Sequence, residues 1–187
     1  RERIQSMETR NLSIRVTGQA VNSVNIIDSL VKGQVKSLSI AVAVIAILMF
    51  LVFRSISLGL LSLIPNCFPI VLNFGLMGLL GIPLNTATSL IAAVAIGIAV
   101  DDTIHFLSYF KSEREQGKST ATAVESAMRI KGRALISSSI ILCTGFGVLL
   151  LSSFIPVVYF GLLSAFIMLM ALLGDLIFLP ALLMLKK

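Results

Sequence analysis

Long apolar runs dominate the chain, and they recur at a length that matches a lipid bilayer. A helix crossing the hydrocarbon core needs about 20 mostly apolar residues. Such runs occupy about 37–53, 58–80, 86–109, 134–153 and 157–185, which predicts five membrane spans with the two chain ends on opposite sides. The first 35 residues follow a different pattern. Between Asn11 and Thr17, Leu12, Ile14 and Val16 alternate with polar neighbours, the period of a half-buried strand, and Gly18 ends the run. A helix is expected from about Ala20 into the first span. Residues 1–35 therefore read as the end of an extracytoplasmic domain and 36–187 as a transmembrane domain. The expected fold class is an all-α polytopic membrane protein with five transmembrane helices and a short N-terminal α/β remnant.

Charge sets the orientation. Lys and Arg mark the cytoplasmic side of short membrane loops. Arg54 follows the first span, and the segment after the third carries Lys111, Arg114, Lys118, Arg129, Lys131 and Arg133. The chain ends in Lys186 and Lys187, whereas the loops around 81–85 and 152–156 carry no charge. The N-terminus is thus expected outside and the C-terminus in the cytoplasm. Arg1, Arg3, Arg10, Arg15 and Lys32 then lie outside, which translocated folded domains tolerate. Within the long inner loop, Val124, Ala127, Met128 and Ile130 recur at helical spacing, predicting an amphipathic surface helix over about 119–131.

Composition excludes other classes. Of 187 residues, 57% are hydrophobic and 13% charged, outside the range of a soluble globular protein. The net charge of +6 comes from basic residues scattered at the ends of apolar runs rather than gathered in a stripe, so nucleic acid is not an expected partner. Cys67 and Cys143 sit in apolar runs without a CxxC pairing, and there is one histidine, so no metal site is expected. With no nucleophile set or phosphate loop either, an enzyme is not expected. The chain opens on Arg1 without a signal-peptide pattern and is expected to be a fragment of a longer protein.

The informative positions are those that lipid disfavours. Asp101 and Asp102 lie side by side in the third span, where each ionised carboxylate costs about 2.5–3.5 kcal/mol at mid-membrane. Counted back from Lys111 at ~1.5 Å per residue, Asp101 is ~15 Å deep. His105 follows Asp101 by four residues and Asp102 by three, so the three can meet along one side of a helix, with Gly97 one turn earlier giving room for a neighbour's backbone. Two adjacent carboxylates in low dielectric do not both ionise, so the pair is expected to bind and release protons as a coupled unit. Asp175 in the fifth span lies at nearly the same depth and, with Thr144 of the fourth, is a candidate secondary relay. No Lys or Arg lies inside any span to pair with these acids. Pro65 and Pro69 flank Asn66 in the second span, predicting a kinked or broken helix.

The run Gly97-Ile-Ala-Val-Asp101-Asp102-Thr-Ile-His105-Phe resembles the resistance-nodulation-division (RND) superfamily, and within it the MMPL-like exporters. Gly81-Ile-Pro-Leu-Asn85 before it, Ser152-Ser-Phe after it, and the stretch from Asp175 to Pro180 share in the likeness. The resemblance implies an RND-type half bundle, the C-terminal half of a transporter, with Gly97, Asp101 and Asp102 as its proton-relay motif. It further implies proton-motive export of a lipid or other amphiphile, and no cofactor beyond the proton gradient. The implied partners are the missing N-terminal half, the amphiphilic substrate, the membrane itself and, at a further level, a homo-oligomer. The implied location is the cytoplasmic (inner) membrane of a bacterium or archaeon. Two other functions fit the helix count: a sterol-sensing-like lipid-binding module, and an accessory of protein translocation similar to SecDF.

Overall fold

The computed structural model describes residues 19–185, and the strand expected at 11–17 lies outside them. Five helical rods account for nearly all of the described chain: α1 (Gln19–Phe53), α2 (Ile56–Leu80), α3 (Thr86–Glu115), α4 (Thr120–Val148) and a fifth rod in three parts. That rod is α5 (Ile155–Leu173), a π-helical turn (Gly174–Phe178) and α6 (Leu179–Leu185). A 3-10 turn, Leu149–Leu151, ends α4. Each rod contains a stretch long and apolar enough to cross a membrane, so the five expected spans are present. No strand occurs among the described residues.

Local chemistry fixes where the rods begin and end. Gly81, at φ 64°, closes α2 in the left-handed conformation that glycine adopts without strain. Four residues later Asn85 caps α3: its side chain accepts from Thr88 N at 3.0 Å while Asn85 N donates to Thr88 Oγ1 at 2.8 Å, a reciprocal capping box. At the opposite end of α3 the chain turns through Gly117, at φ 85°, and Ser119 caps α4 by accepting from Thr122 N at 3.2 Å. Lys118 reaches back across this turn to the buried Glu113, with Nζ 2.5 Å from Oε2. That hydrogen bond is the main reason the Lys118 ammonium is held above the usual lysine range. Lys111 donates to Phe53 O at 3.1 Å, tying the basic end of α3 to the end of α1.

Two expectations change. Residues 119–131 are not a separate surface helix: they form the first turns of α4, which continues unbroken to Val148. No Pro or cluster of turn residues interrupts the run, and the isolated Gly132 at the junction is tolerated within the helix, where it is buried. Of the kinked or broken helix expected at Pro65 and Pro69, the break is absent: α2 is one continuous helix with both prolines on its buried face. Packing by neighbouring helices holds it together although two ladder hydrogen bonds are missing.

The rods differ in how much of themselves they bury. In the first span 6% of the apolar window is buried within the chain and in the fourth 11%, against 47% in the third and 44% in the fifth. So α3 and the fifth rod form the centre, α2 packs on both, and α1 and α4 lie at the periphery. In lipid the hydrophobic effect does not drive helices together; dispersion contacts and interhelical hydrogen bonds do, which favours small residues at crossings. Gly161 illustrates this, since a Cβ there would stand 2.7 Å from both Leu149 Cβ and Phe146 O. Gly174 packs against Pro65 O in the same way, at 3.0 Å from the position of an added Cβ.

Candidate functional site

The third span presents two chemically different faces, because successive residues step about 100° around a helix. Ile91, Ala95, Ala99, Thr103, Phe106 and Phe110 are buried and contact the rest of the bundle. Val94, Gly97, Asp101, His105 and Ser108 run along the opposite side at intervals of three and four, and all are exposed. Asp102 lies between the faces, half-buried.

Asp101 and His105 meet as expected, with His105 Nε2 3.6 Å from Asp101 Oδ1 one turn apart. Their side chains are 72% and 63% exposed, so this pair faces away from the bundle. Gly97 departs from expectation: no atom of the described residues lies within 4 Å of where its Cβ would be. The room that glycine provides is open on the surface that carries Asp101. For a helix at the centre of a membrane protein this is unusual, since exposed intramembrane carboxylates and imidazoles are not left against lipid.

Asp175 goes elsewhere. It is 2% exposed, enters the core from the π-helical turn, and lies 2.6 Å from Thr103 Oγ1 through its Oδ1. Thr103 Oγ1 is also 3.4 Å from Asn66 Oδ1, so residues from three rods converge. The equal depth predicted for Asp101 and Asp175 therefore corresponds to a contact two residues along α3, on its buried side. Thr144 does not join either group: it is exposed and donates to Ile140 O of its own helix at 2.7 Å. Hydroxyls in membrane helices commonly satisfy themselves in this way. No cluster of His, Cys, Asp and Glu able to hold a metal ion occurs among the described residues.

Sequence reasoning missed Thr103 and the part played by Asn66. Their signals were present: Thr103 directly follows the acid pair and faces the core by helical phase, and Asn66 is an amide in an apolar span. Nothing in the sequence says that Asp175 would meet them.

Five helices long and apolar enough to cross a membrane define a multi-pass membrane protein. The model of the MMPL family matches residues 1–186, and the chain belongs to that family, a branch of the RND superfamily of membrane transporters. It is 29% identical to a membrane protein of Methanocaldococcus jannaschii over 164 residues, 87% of this chain and 42% of that protein. It is 31% identical to a membrane protein of Streptomyces coelicolor over 77 residues, 41% of this chain and 11% of that protein. The chain thus spans less than half the length of the relatives it matches.

Proposed function

We propose that this chain is one half of a transporter that exports a lipid or other amphiphile at the expense of a proton gradient. The observation that supports it is the exposed position of Asp101 and His105, with Gly97, on the most buried helix of the bundle. A surface of this kind calls for a protein partner, and the reading that this partner is the other half of the same transporter is supported by the chain's match to 42% of a longer relative. Gly97 admits the partner's helix, and the partner encloses Asp101, Asp102 and His105 between the halves.

Protons from the outer side neutralise Asp101 and Asp102, the halves repack, and release to the cytoplasm resets them. His105, one turn from Asp101, tunes the pair rather than carrying the proton. The free energy of differential protonation drives the conformational cycle. In this reading Arg54, the basic end of α3 and the sequence's final Lys186 and Lys187 are cytoplasmic, the membrane is the cytoplasmic (inner) one, and residues 1–35 finish an extracytoplasmic domain that handles the substrate. Proton flux dependent on substrate, measured in proteoliposomes with the full-length protein and lost in Asp101→Asn, is the test.

A further inference from the structure

The buried contact among Asp175, Thr103 and Asn66 poses a problem of counting. Asp175, Thr103 and Asn66 are 2%, 0% and 4% exposed, so bulk water does not reach them. No cation pairs with Asp175 among the described residues. Its Oδ2 is buried and has no hydrogen-bond partner among the described residues. From the packed elements, the titratable groups nearest in sequence to the contact are Cys67 on α2 and Asp102 on α3, neither a source of positive charge. On α4, Cys143 is bonded to Ala165 O and Lys131 stands over the Tyr109 ring.

Hydrogen atoms decide between the two states of the acid. The Asn66 amide is oriented by Ser62 O, which only accepts and takes Nδ2 at 2.7 Å. Asn66 Oδ1 is therefore the atom that faces Thr103. The threonine has one hydroxyl hydrogen. If Asp175 were ionised, that hydrogen would go to its Oδ1 at 2.6 Å, Asn66 Oδ1 would face a lone pair, and a bare charged oxygen would remain in the core. If Asp175 carries a proton on Oδ1, it donates to Thr103, Thr103 donates to Asn66 Oδ1, and Asn66 donates to Ser62 O. The chain of donors then runs one way, and only the carbonyl oxygen of a neutral acid is unpaired, a far smaller penalty than an unpaired charge.

We infer that Asp175, Thr103 and Asn66 form a second proton-binding site, distinct from the Asp101–Asp102 pair and occupied in this conformation. The site stores a proton rather than conducting one, because the Asn66 amide and the Ser62 carbonyl do not pass a proton on. It joins α2, α3 and the π-helical turn one residue away from Asp102. Emptying it leaves an uncompensated carboxylate in the core, so the rods separate or admit water when the proton leaves. The irregular turn is suited to this, since Gly174 rests on Pro65 O, a carbonyl whose usual helical donor is absent because residue 69 is proline. The inference deepens the proposed proton coupling, but proton occupancy of Asp175 is measurable without transport.

Infrared spectroscopy of the full-length protein in lipid nanodiscs reads it directly, through the carbonyl stretch of a protonated carboxylic acid. With Asp101→Asn and Asp102→Asn removing that pair, a protonated-acid band is expected at neutral pH. It is expected to vanish when Asp175→Asn is added, to shift in Thr103→Val, and to stay in place in Thr103→Ser. Absence of any band assignable to Asp175 in the folded protein would overturn the site. The Asn of Asp175→Asn donates to Thr103 as the protonated acid does, so that variant keeps the packing but is expected to lose transport. Full transport by it would show that the proton never leaves and would overturn the coupling. A band that persists while Asp101→Asn exports normally would refute the proposed relay and leave this site standing.

Discussion

His105 Nε2 stands 3.6 Å from Asp101 Oδ1 on a face of α3 that no other described residue covers. The same helix buries its other face against α2, α4 and the fifth rod, so its titratable side is turned away from the bundle. That arrangement fits a helix at the seam between two halves, and it makes the surrounding residues testable one by one.

Gly97 lies on this face with open space in front of it. Gly97→Leu should leave the fold of this half intact and yet reduce transport, because the added side chain meets only the partner. Thermal stability of the separately produced half and substrate export by the full-length variant measure the two effects. Equal loss of both would place the role of Gly97 inside the half. A photocrosslinking residue at Val94 should likewise capture the other half, while one at Ile141, exposed on α4, should capture lipid.

Gly161 has the opposite character. With Leu149 Cβ and Phe146 O each 2.7 Å from an added Cβ, Gly161→Ala forces the α4–α5 crossing apart. A cost of about 1–3 kcal/mol is expected, the range for overpacking a close contact. Gly75→Ala, with nothing within 4 Å, serves as the control, and its gain in helix propensity should leave stability unchanged or slightly higher. Unfolding temperature in detergent reads both, and similar values for the two variants would contradict the packing described.

Membrane topology is open to direct labelling. After Cys67 and Cys143 are replaced, a cysteine at position 117 should be protected from an impermeant reagent added to intact cells, and one at position 19 should react. The reverse pattern would invert the charge-based orientation and the direction of proton flow with it.

Much of this was legible in the sequence because membrane spans declare themselves by length and hydropathy. Asp101, Asp102 and His105 were identifiable from spacing alone, since three and four residues along a helix return to the same side. Their exposure was not, because it depends on which faces the other four rods cover. The Asp175–Thr103 contact joins residues 72 positions apart, and no local pattern encodes the rotation of one rod relative to another. The helix over about 119–131 is legible from its spacing, but its continuity with the fourth span is not, because Lys131 and Arg133 mark the end of the apolar part of α4 rather than the end of the helix. Pro65 and Pro69 left both a kink and a break open, and the packing that decides against the break is not displayed by the sequence.

The central claim is that Asp101 works by titrating, and Asn at that position isolates this property. Asp101→Asn is nearly isosteric and carries no charge to desolvate, so insertion and expression should match wild type. In proteoliposomes under an imposed pH gradient, the full-length variant is predicted to lose substrate export and the accompanying proton flux. Asp102→Asn is predicted to be as damaging or somewhat milder, and His105→Gln milder still. Normal export by both Asp101→Asn and Asp102→Asn, at expression matched to wild type, would contradict the account and reduce the acid pair to packing contacts between helices.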